Sequence, residues 1–447
     1  MSAQFGRRQT AQRFLLADRK VGGLFGALAV AASWIWAPAL FVSTQVGYTW
    51  GYSGLVWFVV PNILALVMFA PVAHCLRQKL PEGYSYIEFI RNRGGHFRDL
   101  QLLVQLLVQV VCCAIQLTAG AELLTYISGA SYASIVIIMA VAPLCYCLMA
   151  GLVSSILTDC IQYIVIVCAI AIIYLNLPLS QNIPNLTHSG FAPFDPTVLM
   201  QFGIASCLTL IFGIFSNHQQ WQRAFAADYK QVRKTFFAAG LLHGVVTFSL
   251  GTLGVLLAQS GYVTEHLQIV GAEYISKNMA PFFSVTFIMM ALSGLCATMS
   301  SALCAFGSLY ATEIVPAQNP ISASRKAMVV LSLLALLVAI LRVPLIVLWM
   351  FCGLIRLGTA APTIISVFSD RLTGKAGTLA ILASIFGGAP FFAYGCLIDN
   401  NVWRTIGMSV CLSISAGICL FSLLGKKATG DLVAAGKNAD PIDVSYS

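Results

Sequence analysis

An arginine, a row of glutamines, a pair of tryptophans and a Ser-Asn-His string stand within or beside long apolar runs, and each could do chemistry. Arg356, in FCGLIRLGTAAP, offers a planar fork of N–H donors that suits a carboxylate or another anionic group. The other use of such a residue is a structural ion pair, with Glu122 a candidate partner. Gln105, Gln109 and Gln116 recur four and then seven residues apart, which keeps them on roughly one helix face. Such a stripe can hydrogen-bond a polar solute, or glue helices together at about 0.6 kcal/mol per bond. Gln116, towards the outer half, is the lining candidate. Trp34 and Trp36, in AASWIWAPALF, carry flat rings able to enclose a small planar solute. Two apart on a regular helix they cannot face the same way, so Trp34 is favoured for a site and the alternative for both is packing.

Much other chemistry is missing. No Ser-His-Asp set, metal cluster, Walker loop or glycine fingerprint appears at usable spacing, so nothing points to an enzyme. The 14 cysteines fall almost wholly inside apolar runs without paired C-x-x-C spacing, and read as small packing residues rather than zinc ligands.

The elements that must hold these residues are membrane spans. The chain is 59% hydrophobic and 9% charged with mean hydropathy +0.85, whereas soluble domains carry about 25% charge. Runs long enough to cross a bilayer fall at 22–49, 54–76, 100–127, 131–150, 152–176, 197–217, 235–259, 281–309, 325–342, 344–368, 376–397 and 402–424. Only AGLVSS separates the fourth from the fifth. Lys and Arg cluster in alternate loops, at 7–20, 77–98, 223–234, 325–326, 371–375 and 426–427. The positive-inside rule therefore puts both termini in the cytoplasm of a multi-pass protein of the inner or plasma membrane. A formal charge of +9 spread over short loops is no nucleic-acid patch; the expected partners are membrane lipid and a small polar solute, with no obligate protein partner. The basic N-terminus leads into an apolar run without a cleavage-type ending and reads as a retained first helix.

Two of the spans are interrupted. The first is overlong with Pro38 inside it, and the sixth, FGIASCLTLIFGIFSNHQQ, passes through Gly213 into a polar string. Interrupted helices five spans apart point to an inverted five-plus-five transporter with its site at the breaks. Broken backbone leaves polar groups that cost several kcal/mol each in the bilayer unless satisfied, although Pro38 could also merely kink a packed helix. The fold expected is all-α integral membrane with about twelve helices. A segment at 1–21 precedes one repeat at 22–176 and a second at 197–368, with two accessory helices at 376–424 and a polar tail at 425–447. Phe212, Ser216 and Asn217 become site candidates by this symmetry. Asp159 and Glu313, near helix ends, suit capping and loop pairing, and His218 suits a hydrogen-bonded structural role.

Four blocks resemble the sodium/solute symporter family. They are Phe14 to Gly54 (FLLADRKVGGLFGALAVAASWIWAPALF...GYTWGYSG), AGLVSSILTDCIQ from Ala150, HQQWQRAFAADYKQVRK from His218, and LSGLCATMSSALCAFGSLYATEIV from Leu292. Ser-Trp-x-Trp-Ala and Trp-Gln-Arg-Ala-x-Ala-Ala are most similar to the urea-permease branch. The resemblance implies a leucine-transporter-like fold with discontinuous helices 1 and 6, and a co-transported sodium ion between helices 1 and 8. Carried over by position, carbonyls of Ala32, Ile35 and Gly294 would hold it, with hydroxyls expected at Ala297 and Thr298. Ala297 departs from the family's usual serine; Ser293, Ser300 or Ser301 would compensate only in a different register. Thr298 is either a ligand or bonds its own helix. Ser33, Trp34, Trp36, Gln116, Phe212, Ser216, Asn217 and Arg356 would then meet the solute.

The expected function is sodium-coupled symport of a small polar organic solute (urea-like, an amino acid or a carboxylate) by alternating access. Alternatives are a passive facilitator, an uncoupled or proton-coupled transporter, and a transporter-like sensor, for which the tail after 427 is too short to hold an output domain.

Overall fold

A computed structural model describes residues 10–178, 194–315 and 319–424. The polar tail and most of the charge-poor 180–197 loop lie outside these residues. Among the described residues eleven helical stretches are long and apolar enough to cross a membrane, joined by one shorter apolar helix, Gly23–Trp34. These account for the twelve expected spans. The chain is a multi-pass helical membrane protein.

The difference between eleven and twelve comes from the first span. It divides into Gly23–Trp34 and a second half, 38–50, which joins the next span, 52–79, with no loop between them: within Pro38–Lys79 only Gly51 has a non-helical backbone, and Gly54 folds back against the Val46 carbonyl. Gly51 sits at φ 56°, ψ −140°, a conformation few side chains tolerate, so a single glycine reverses the chain. Gly151 (φ 58°) does the same between the fourth and fifth spans, where a Cβ would also lie 2.4 Å from the Phe14 carbonyl oxygen.

We label the broken first helix α1 and its successor, 52–79, α2. There follow α3 (Phe97–Ser128), α4 (Tyr132–Ala150), α5 (Leu152–Leu175), α6 (Pro196–Ser216, continued by His218–Ala226) and α7 (Val232–Gln259). The rest are α8 (Pro281–Leu309), α9 (Pro320–Ile340), α10 (Leu345–Phe368), α11 (Gly374–Leu397) and α12 (Asn401–Leu424). α7 lies along the Pro38–Lys79 helix, α8 against α5 and α3, and α11 pairs with α12 against α10. The α1–α7 crossing is made of glycine: a Cβ at Gly254 would meet the Thr44 carbonyl at 1.9 Å, and one at Gly47 the Gly251 carbonyl at 2.1 Å. Small residues let membrane helices approach this closely. A wide π-type turn adjoins each break, Pro38–Val42 after the first and Leu208–Phe212 before the second, a local irregularity that recurs at functional sites.

Candidate functional site

The first break is confined to two residues. α1 stops at Trp34, and Ile35 turns to φ −81°, ψ 76°. Its N–H still donates back to the carbonyls of Ala31 (3.1 Å) and Ala32 (3.0 Å). Pro38 opens the following segment, where its missing N–H is no loss. The proline therefore follows the break, and four residues after Trp34 it cannot supply the N–H that would continue the first half-helix. The stranded N–H of Ala37 donates to Gln116 Oε1 at 2.7 Å, and Gln116 donates from Nε2 to the Cys112 carbonyl at 3.2 Å. Gln116, expected to line a solute site, thus uses its amide oxygen to seal the broken backbone and its amide nitrogen on its own helix.

The carbonyls freed by the break face α8. Thr298 Oγ1 lies 3.3 Å from the Ser33 carbonyl and 3.2 Å from that of Ile35. The hydroxyl reaches across to α1 rather than bonding its own helix. Gly294, one turn earlier, is bare at this contact: a Cβ there would come within 3.1 Å of the Ile35 oxygen. The Ser33 carbonyl is a participant that residue type could not reveal, while the Ala32 carbonyl already takes the Ile35 N–H. Ala297 brings no side-chain oxygen, and its carbonyl accepts from Ser301 (2.6 Å) and Ser300 (3.0 Å). Ser293 donates to the Met289 carbonyl. None of these three serines replaces the missing hydroxyl. Two carbonyls and one hydroxyl form an oxygen-only group, suited to a hard cation and fewer than the about five or six oxygens sodium prefers. Ser33's own hydroxyl turns away, donating to Val30 and accepting from Gln220 Nε2 at 3.4 Å.

The second break centres on Asn217, extended at φ −105°, ψ 107° between a tight 3-10 turn at Gly213–Ser216 and the half-helix His218–Ala226. Asn217 Oδ1 caps that half-helix through the Gln219 N–H (3.1 Å) and also accepts from Gln109 Nε2 (3.4 Å). Gln219 Nε2 returns a bond to Gln109 Oε1 at 2.8 Å. Part of the α3 glutamine row thus ties α3 to the break, while buried Gln105 has no partner at either end of its amide. Ser216 donates to the Arg356 carbonyl (2.9 Å) and shares a 2.5 Å hydrogen bond with Thr359, so it is pinned to α10. Phe212 is half-buried at the start of this turn.

Arg356 lies between the two breaks. It is 1% exposed. Its guanidinium stands 5.4 Å from the Trp36 ring centroid and donates from Nη2 to the Cys112 sulfur at 3.1 Å. A Cβ on Gly213 would lie 3.1 Å from Arg356 Cδ, so the second break leaves room for this side chain. Glu122 is not its partner. Ten residues beyond Cys112, it is about 15 Å further along α3, sharing a cavity of about 530 Å³ with Arg342. The tryptophans also differ from expectation. The turn at Ile35 is irregular, so both rings lie on one side with centroids 6.3 Å apart, and neither indole N–H has a partner.

A second buried polar cluster went unread in the sequence. Arg223 Nη2 contacts Asp159 Oδ2 at 2.5 Å and Ser301 Oγ at 2.6 Å, and Ser300 joins through Asp159 Oδ1 (3.5 Å) and Ser155 (3.0 Å). Asp159 is therefore a buried ion-pair partner rather than a helix cap, and Arg223 is not a loop charge. Glu313 does pair with loop-side residues, Arg91 at 3.1 Å and Arg98 at 3.2 Å. His218 is buried with neither ring nitrogen partnered, so the hydrogen-bonded role expected of it is not formed.

Two interrupted helices facing each other across a bundle, with freed backbone and buried polar groups at the breaks, define the class of secondary-transporter folds. The chain belongs to the sodium:solute symporter family, which matches residues 14–387. The fold is similar to that of a Na+-coupled sialic acid symporter in a substrate-bound outward-open state, with a TM-score of 0.74, 16% identity, and 95% of this chain and 94% of that one covered. Among curated relatives, the urea-proton symporter of Oryza sativa subsp. japonica is 23% identical over 64% of this chain and 44% of its own length. The spermidine transporter of Candida albicans is 22% identical over 89% of this chain and 72% of its own. Matches to the first relatives span 24% to 47% of those proteins' length. The family and these neighbours are transporters, not enzymes.

Proposed function

We propose that this protein is a secondary active transporter of the plasma membrane that carries a small polar organic solute inward with a sodium ion, by alternating access about the two helix breaks. The basic loops mark the cytoplasmic side. The observation that carries the ion is the Thr298 hydroxyl set against the Ser33 and Ile35 carbonyls. A carbonyl stranded by a helix break and a hydroxyl from a facing helix are oxygen donors of the kind sodium takes in discontinuous membrane helices. Gly294 keeps the gap narrow. The solute would sit beside this group, under Trp34 and Trp36 and against Arg356.

Purified protein should gain thermal stability as sodium replaces choline at constant ionic strength, because a ligand that binds the folded state stabilises it by mass action. Thr298→Val removes one oxygen and should raise the half-saturating sodium concentration about tenfold, equivalent to about 1.4 kcal/mol. An unchanged sodium response in Thr298→Val would remove the ion from this position.

Proton coupling is the second reading. Ala297 withholds the hydroxyl a complete sodium shell would use, and the similar protein of Oryza sativa subsp. japonica is named a urea-proton symporter. It predicts stabilisation and uptake that follow a pH gradient and ignore sodium.

A further inference from the structure

We propose that the transported solute is a small carboxylate, and that Arg356 is the residue that anchors it. The inference rests on the transporter reading above, which fixes the solute's place between the helix breaks but not its charge.

The first strand of the argument is cost. An arginine cannot shed its proton in a protein, and an unpaired charge taken out of water carries an effective penalty of several kcal/mol. Arg356 is 1% exposed. Among the described residues no carboxylate pairs with it; its one polar side-chain contact is the Cys112 sulfur, and its Nε and Nη1 have no partner. A thiol is a weak acceptor and does not balance a full charge. The other buried arginines among the described residues each reach an oxygen: Arg223 has Asp159, Arg404 has Asp399, and Arg77 donates to the Pro81 carbonyl. Arg356 alone of the four has no oxygen acceptor for its guanidinium among the described residues.

The second strand is the character of its neighbours. Trp36 lies against the guanidinium, and Trp34 against Trp36. Both indole N–H groups are buried and unpartnered. The three side chains hold four unpaired donor nitrogens, Trp34 Nε1, Trp36 Nε1, Arg356 Nε and Arg356 Nη1, and none of the three offers an acceptor. A carboxylate has two oxygens with about four lone-pair sites and a charge of the right sign. Urea has one acceptor oxygen against two NH₂ groups, so most of its polar atoms would meet donors. A polyamine has only donors and positive charge, and is repelled. The wall of the site selects by donor–acceptor count as well as by charge.

The third strand is placement. Arg356 touches both interrupted helices, at Trp36 within the first break and at Gly213 before the second. An anion on its free edge would lie beside the Ser33–Ile35–Thr298 oxygens, so a cation there would offset the charge carried with it.

The test is a thermal-shift series on the purified full chain at fixed sodium, with lactate, pyruvate, urea and spermidine as probes. Lactate or pyruvate should raise the melting temperature of the wild type. Arg356→Gln should melt no lower than wild type without ligand, since it deletes an uncompensated charge, and should lose carboxylate affinity about a hundredfold or more. Arg356→Lys, which keeps the charge without the fork, should lose less. If no carboxylate shifts the wild type, or Arg356→Gln keeps the carboxylate shift, the proposal is overturned. If Arg356→Gln does not fold, the wild-type series decides: a carboxylate shift supports it, and shifts with urea or spermidine alone overturn it. Failure of the transporter reading looks different: when the series is repeated with choline in place of sodium, it appears as shifts that do not depend on sodium with any probe.

Discussion

Thr298 shows how one side chain can carry a large share of a site: its hydroxyl bridges to two carbonyls of another helix, where the neighbouring position, Ala297, offers only a methyl group. It was legible because a threonine within the family-like α8 block stands out. The Ser33 carbonyl was not, because backbone carbonyls are the same in every residue and only the break decides which are free. Arg223 was hidden for another reason. It precedes Lys230, Arg233 and Lys234 in the sequence and reads as the start of a basic loop, yet it is buried against Asp159. Removing one partner of a buried pair strands the other, at about 3–5 kcal/mol. Arg223→Ala should therefore lower the melting temperature sharply in detergent, and Asp159→Asn combined with Arg223→Gln should recover much of that loss. Additive losses in the double variant would show that the two do not form a pair.

At the scale of elements, the spans were plain from hydropathy, and the two breaks from an overlong run and a polar interruption. The exact joints were not, because they depend on single glycines: Gly51 and Gly151 turn the chain in one residue each, leaving no loop for composition to register. The α1–α7 crossing depends equally on missing side chains. Gly254→Val places carbon where the Thr44 carbonyl stands, so the cost should exceed the roughly 1–3 kcal/mol of ordinary overpacking. Size-exclusion chromatography should show loss of the monodisperse protein; a well-folded Gly254→Val would mean the helices are further apart than described. Outside the membrane, the short helix Val270–Asn278 is pinned through Glu273. Burial opposes ionisation of this carboxyl, but bonds from Lys277 and Thr264 and the backbone N–H groups of His266 and Glu265 hold it down at about 2. A carboxyl held below its ordinary value of 4.5 stabilises the folded segment above that value, and the contribution is lost as pH falls towards about 2. Amide exchange in 270–278, corrected for intrinsic pH dependence, should be slower at pH 7 than at pH 3, and Glu273→Gln should speed it at pH 7. Equal protection at both pH values would exclude this anchor.

Over the whole molecule, the polar groups divide into three levels. One face holds Glu313 with Arg91 and Arg98, the opposite one holds Glu122, Glu273, Lys277 and Arg342, and the breaks with Arg356 lie between. Alternating charge in the loops and the five-span separation of the breaks make this layering legible in the sequence. What sequence could not supply was which buried charges are already neutralised, since a partner can stand five residues away, as for Arg404 and Asp399, or 64, as for Arg223 and Asp159. A protein arranged in this way should open to one face at a time about an ion and a solute held at the breaks. The measurement that tests this most directly is uptake into sealed proteoliposomes of labelled lactate, urea and spermidine, under an imposed inward sodium gradient or with equal sodium on both sides. The account predicts that at least one solute accumulates above equilibrium only while the sodium gradient lasts, and that Thr298→Val abolishes the accumulation. Uptake that merely equilibrates and is indifferent to sodium would contradict it.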